Sequence, residues 1–451
     1  MTIRSAVSLT AGIALCLAAA TPARGDATSP VMVVFSRSGS NTPFYATWNG
    51  AAWSGASALP SISTNARFVL VANCPLRNET ACMTLGADDR LRVQFFNGSA
   101  WSSPTQICSN VGTDDTRACA MAYESSSGRL IMAYWVDSAN KIGWRTYDGT
   151  SLSAESQFSL NSSTRATNLS LTCNPCTNEM ILLTQQNNSH LNAVAFDGTS
   201  WSPAVTLESN LSWKDEVCAS AAFVGRSSIA LAAHTRNATW NPQYQTCSGS
   251  SWSSRLSAPA FSSTPQWVRL AGHADTGTVL YGSLYRWSGS GNITVNQWDG
   301  SAWGTPTTVE TNVTAGDKRA FDLAWEPGAG GALMVYQEGT QTSVRYRKWN
   351  GSSWGAEQTG ANIGNAARFV QLTPGTTSGE VFVAASDAGN DLNLMRWNGT
   401  SLSASTQIEG NLGGTSTTEP FMISVPAAAN NGCGVKIVSW REVPNPDPLN
   451  P

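Results

Sequence analysis

The sequence predicts an all-β fold, a single β-propeller built from four-stranded antiparallel blades. Three observations predict it. A motif of the form aromatic-[Asn/Asp]-Gly-[Ser/Thr]-x-Trp recurs along the chain, with its glycines at 50, 98, 149, 198, 249, 300, 351 and 399. A spacing of about 50 residues is the length of a radial or stacked repeat. Only 13% of residues are charged, and Gly, Ser, Thr and Asn abound, as in a turn-rich β-protein. Short apolar runs are punctuated by turn residues, and no segment carries a 3.6-residue period.

In chain order, residues 1–25 read as a secretory signal. Arg4 supplies the positive end, Ala11 to Ala20 the apolar run, and Ala23-Arg24-Gly25 a small-x-small cleavage site. The run is too short to span a bilayer, and no other segment is apolar enough to do so. The propeller occupies 26–443 and a short tail 444–451. Removing 1–25 takes away Arg4 and Arg24 and no acids, so the remainder is more acidic than the full chain's −3. That balance argues against nonspecific nucleic-acid binding, which needs a basic field. The expected location is therefore secreted: periplasm, cell surface or medium.

One repeat shows how a blade is made. Arg319–Trp325 is a first strand, Glu326–Gly331 a turn, Ala332–Gln337 a second strand, and Ser343–Trp349 a third. Asn350-Gly351 then favours a two-residue type I′ hairpin, because both positions tolerate positive φ. A fourth strand would start at Ser352, with Trp349 and Trp354 as diagonal neighbours packing against the adjacent repeat. Cys247-Ser248-Gly249-Ser250-Ser251-Trp252 is a degenerate copy, and Tyr147 and Trp397 begin copies that end in Leu152 and Leu402.

Seven first strands are expected to begin near Arg67, Arg117, Arg165, Glu216, Trp267, Arg319 and Arg368. An eighth blade is composite. Phe421–Val425 and Val435–Trp440 supply its inner strands, and Tyr45–Trp48 and Trp53 its outer ones. Such interlocking removes free edges. Val31–Phe35 also reads as a second strand, one more than the blade needs, so seven blades with a frayed seam is the alternative.

In an exported chain the cysteines are disulfide candidates. Cys74/Cys82, Cys108/Cys119, Cys173/Cys176 and Cys218/Cys247 are plausible pairs, with Cys433 left over.

The hairpin motif resembles the Asp-box of sialidase-related propellers in its Gly-x-x-Trp, as at Gly351 and Trp354. It departs in placing Asn or Asp directly before the glycine. The unit Arg319–Trp354 is more similar to a group of uncharacterised secreted bacterial propeller proteins. This resemblance covers nearly the whole mature chain and implies a fold, not an activity. Sialidases use arginines for a substrate carboxylate, a Tyr–Glu nucleophile pair and an Asp acid/base.

Candidate site residues follow from where a propeller puts its strand ends. Arg67, Arg117, Arg165, Arg319 and Arg368 stand at first-strand starts, with Lys214 and Trp267 near the skipped positions. Together they would ring the channel mouth, where guanidinium groups grip anions. Alternatively each pairs with a nearby acid such as Asp115 or Asp317. Loops between second and third strands add Asp88, Asp89, Asp137, Trp240, Trp287, Glu338 and Asp387 to that face. The histidines lack metal-ligand spacing, and no cofactor or nucleophile-elbow motif is present. The function expected is a non-enzymatic propeller binding a glycan or surface polymer on its channel face. The alternatives are a sialidase-like glycoside hydrolase or lyase, and a structural envelope scaffold.

Overall fold

The computed structural model of the protein describes residues 30–112, 117–212, 216–261, 263–285, 291–313, 318–413 and 420–426. Among them every regular element is a strand, and the strands form eight antiparallel sheets. The fold is an eight-bladed propeller, which removes the seven-bladed alternative. Blades 2 to 8 follow in chain order. Their first strands begin at Ala66, Cys119, Ala166, Ala219, Trp267, Phe321 and Ala367, within three residues of expectation.

Blade 1 closes the ring. Its innermost strand, Phe421–Ser424, comes from the C-terminal side. Val31–Phe35, Phe44–Trp48 and Ser57–Ala58 complete it from the N-terminal side. The surplus strand is thereby resolved. Val31–Phe35 holds the second position, bonded to both Phe421–Ser424 and Phe44–Trp48, so no second inner strand from 435–440 is needed. Residues 435–440, the signal segment 1–25 and the tail 444–451 lie outside the described residues.

The repeated hairpin differs from the two-residue turn expected. Trp349 pairs directly with Trp354, and equivalent pairs close six other blades. The loop therefore has four residues. The Asn350 Oδ1 accepts the backbone amides of Ser352 (3.0 Å) and Ser353 (2.9 Å). It takes the Ser353 amide that a tighter hairpin closed by Asn350 and Ser353 would give to the Asn350 carbonyl, a local competition in which Asn and Asp excel. Within the motif only the glycine is left-handed, at +100° for Gly351. Blade 5 supports this account. There Ser248 stands in place of the Asn, and the tighter pairing Ser248↔Ser251 appears.

The fourth strand also starts later than expected, at Gln358 and not at Ser352. A serine after the motif explains the gap in most blades. Ser102 Oγ accepts the Phe95 amide (3.0 Å) and donates to the Ser103 carbonyl (3.1 Å), which pulls the chain off the ladder before the strand resumes.

The blades associate in twos. Residues three before the hairpin are aromatic in blades 1, 3, 5 and 7: Tyr45, Trp144, Tyr244 and Tyr346. Each packs its ring on the hairpin aromatics of the following blade, as Tyr45 on Trp101 (5.6 Å) and Tyr346 on Trp397 (5.4 Å). In blades 2, 4, 6 and 8 the same position holds Val93, Ala193, Val295 or Leu394. Inner strands follow the same rhythm. Leu169, Val268 and Val370 donate their amides to the carbonyls of Arg117, Val217 and Arg319 in the preceding blade.

The expected disulfides are corrected. Cys74, Cys82, Cys108, Cys119, Cys173, Cys218 and Cys247 are thiols, while Cys176 is disulfide-bonded, not to Cys173. Cys82 lies mid-strand opposite Val71, whereas the Cys74 thiol faces the Gly128 carbonyl of blade 3 (3.5 Å). Cys108 and Cys119 belong to different blades, and Cys108 points at the Asn110 carbonyl (3.5 Å). Cys218 precedes an inner strand, whereas Cys247 is on a third strand. Burial pushes the Cys82 and Cys119 thiols to about 12, which makes them unreactive.

Candidate functional site

Two cavities merit attention. The first is the central channel, about 380 Å³, lined from all eight blades. Most lining side chains are small or apolar, and its charge is concentrated in blades 6 and 7. Asp322 is 1% exposed. Its carboxylate accepts from Arg269 Nε (2.8 Å), lies 3.3 Å from Arg319 Nη1, and accepts the backbone amides of Leu323 and Leu372 (each 2.9 Å). At the equivalent place in blade 5, Ser220 Oγ accepts the Leu270 amide (3.1 Å). The position joins neighbouring inner strands, and Asp322 adds two guanidinium partners to that role.

The second cavity, about 400 Å³, is a cleft between blades 6 and 7. Leu280, Val295, Gln297, Thr305 and Thr307 form one wall, and Trp349, Ser352, Ser353 and Trp354 the other. The local sequence explains why it is open. Between blades 8 and 1, Phe382 packs against Trp48 and Trp53, each at 5.8 Å. Register places Leu280 at the matching position of blade 6, opposite Gln297 as Phe382 is opposite Arg396. Leu280 has no ring to fill that space, and it lines the cleft together with Trp349 and Trp354. Trp349 is buried, while Trp354 is half-buried and offers a face to the cleft.

The candidate residues fall into separate groups. Arg117 and Arg319 line the channel, with Arg269, which sequence reasoning missed. Arg67 pairs with Asp89 (2.8 Å), and Arg368 donates to Asn390 Oδ1 (3.0 Å), both on the loop of their own blade. Arg165 covers Gly112, where a methyl group would collide with its guanidinium. Trp267 is in the core. Asp137 accepts from Trp135 Nε1 (3.2 Å), Asp88 pairs with Arg92 (2.6 Å), and Glu338 pairs with Arg345 (2.6 Å). Asp387 accepts the amides of Gly389 and Asp391, and burial pushes its carboxyl up. Trp240 is 60% exposed on its loop. Lys214, Trp287, Asp115 and Asp317 lie outside the described residues.

A Tyr–Glu–Arg constellation occurs twice. Tyr336 Oη donates to Glu357 Oε2 (2.7 Å) and accepts from Arg347 Nε (3.1 Å). Tyr134, Glu155 and Arg145 repeat it in blade 3. Both tyrosines are fully buried, on second strands away from the channel, and burial is the main cause that raises their hydroxyls far above the ordinary value. Repetition and burial mark these trios as struts within the blade. Among the described residues no His, Cys, Asp and Glu cluster suits a metal ion.

No protein-family model matches the chain, and no curated protein matches its sequence. Solved structures do match in fold. The chain is similar to the BP39L lectin from Burkholderia pseudomallei, with a TM-score of 0.53 and 13% identity over 76% of this chain and 100% of that one. It also matches the β-propeller domain of the Trilobed protease from Pyrococcus furiosus (TM-score 0.44, 10% identity, 77% and 97% covered). A third match is a variant of the Aleuria aurantia lectin in complex with alpha-methyl-L-fucoside (0.39, 12%, 77% and 98%). At these identities the likeness is one of fold.

Proposed function

We propose that the protein is a secreted, non-enzymatic propeller that binds a glycan or similar surface polymer. The observation that supports this reading is the cleft between blades 6 and 7. The indole of Trp354 offers an apolar platform, and Ser352, Ser353, Thr305, Thr307 and Gln297 surround it with donors and acceptors. A sugar ring has the complementary pattern, with an apolar C–H face and a rim of hydroxyls. An aromatic wall with a few convergent polar groups suits such a ligand. The channel mouth, where the sequence suggested a site, has most of its described cations engaged with carboxylate or carbonyl partners. The test is a glycan array, followed by calorimetry on its best ligand with wild type and Leu280→Phe. The substitution reproduces the filled seam of blades 8 and 1, so it should abolish binding and leave melting intact. Absence of binding to every glycan, or full binding by the variant, would sink the reading.

A further inference from the structure

The seams at which one pair of blades meets the next share an architecture. Glu208, Glu409 and Cys108 end the fourth-strand ladders of blades 4, 8 and 2, and Glu310 holds the matching register position in blade 6, where the strand runs on to Val313. Each glutamate accepts the two backbone amides that follow it, as Glu310 does from Thr311 (2.7 Å) and Asn312 (2.6 Å). Each then faces the next blade. Glu208 meets Arg236 (3.0 Å) and Arg255 (3.1 Å), and Glu409 meets Arg37 (2.5 Å). Cys108, which lies near Glu155, puts a thiol there.

The seam between blades 6 and 7 breaks the pattern. Where blade 5 has Arg236 and Arg255, blade 7 has Glu338 and Glu357, so Glu357 stands against Glu310 as Arg255 stands against Glu208. Among the described residues, the charged and titratable groups around the pair come from three parts of blade 7. Tyr336 donates to Glu357 from the second strand, and Glu338 lies on the loop after it. Arg345 and Arg347 stand on the third strand; Arg345 lies 2.6 Å from Glu338 and 3.8 Å from Glu357, and Arg347 bonds the Tyr336 hydroxyl. Three carboxylates thus meet two guanidinium groups. Ionising Glu310 beside a second carboxyl brings two negative charges together, which favours the protonated form of Glu310. Burial pushes the Glu310 carboxyl up, partly offset by the two amides, and Glu357 adds to the rise.

The cleft is part of the same seam. Thr307 and Trp354, on its opposite walls, each stand three residues before one member of the pair. We infer that Glu310 and Glu357 form a pH-sensitive joint, which clamps the walls of the cleft in acid and loosens them toward neutral pH. The sign follows from linkage. A carboxyl whose folded value is raised keeps its proton when the unfolded chain has lost it. Its stabilisation is complete below the ordinary glutamate range and disappears as pH rises through the raised value. A ligand that touches both walls binds best when the joint is closed. This last step rests on the glycan-binding reading; the joint itself does not.

Melting of the full chain at pH 5 and pH 7.5 tests the joint without any ligand. Glu357→Gln and Glu310→Gln keep a hydrogen bond and remove the repulsion. Each should match wild type in acid and melt above it at pH 7.5. The same difference at both pH values for both variants overturns the joint. With the best array glycan, wild-type affinity should fall at least threefold from pH 5 to 7.5 and the variants' should stay level. A pH-independent wild-type affinity overturns the coupling. A pH-dependent melting difference with no glycan bound upholds the joint and defeats the glycan reading alone.

Discussion

Replacing Asp322 with Ala tests whether the channel carboxylate ties three blades together. Its oxygens bond Arg269 of blade 6, Arg319 of blade 7 and the Leu372 amide of blade 8. The Arg319 side chain is only 5% exposed, so it would remain in low dielectric without that carboxylate. Removing one member of a buried ion pair costs about 3–5 kcal/mol, chiefly because the other charge is stranded. Unfolding entropy near about 2.1 cal/mol/K per residue gives about 0.8 kcal/mol/K over roughly 400 residues, so the midpoint should drop by about 4–6 °C. Differential scanning calorimetry measures it directly. Asp275→Ala is the control, since its pair with Arg226 is solvent-exposed and should be worth at most about 1 kcal/mol. A drop for Asp322→Ala no larger than that of the control would refute the reasoning.

Three further outcomes follow from the hairpin and from a buried histidine. Asn350→Ala removes the side-chain acceptor of two amides and should cost about 1 kcal/mol, whereas Gly351→Ala forces a methyl group into left-handed backbone and should cost at least as much. Urea titration of both reads the effect, and an unchanged midpoint for either counts against the four-residue loop. Burial depresses the His234 imidazole, which lies between the Thr235 carbonyl and Gln245 Oε1 (each 3.0 Å). The unfolded chain therefore takes up the proton first. Stability from this group is complete above about pH 6.5 and falls as pH drops below it. His234→Gln should flatten urea-derived stability between pH 7 and 5 relative to wild type, and parallel profiles would rule the effect out.

The blade count and the first strands were legible because the hairpin motif is dictated locally, by Asn or Asp capping two amides and by a left-handed glycine. The turn length was not, since Asn-Gly satisfies two competing loops and only the full hydrogen-bond count separates them. Val31–Phe35 was visible as a strand, but its place in blade 1 depended on a partner almost 400 residues away. The cleft was hidden for a related reason. Leu280 is an ordinary buried leucine until register sets it beside Phe382. Arg269 and Asp322 likewise look like exposed-face residues of two strands, and only closure of the ring turns them into a channel pair.

The alternation of aromatic and small residues three positions before each hairpin has an implication for how such a chain comes to exist. The structural unit that repeats is about 100 residues long and occurs four times, with well-packed contacts inside each unit and more varied ones between units. Ancestral amplification of a two-blade segment would leave this imprint. The joints between units would then be the places where sequence drifted with least penalty. A thiol beside an acid, two acid–arginine clasps and one pair of acids now occupy the four. Novelty in this ring is expected at every second boundary.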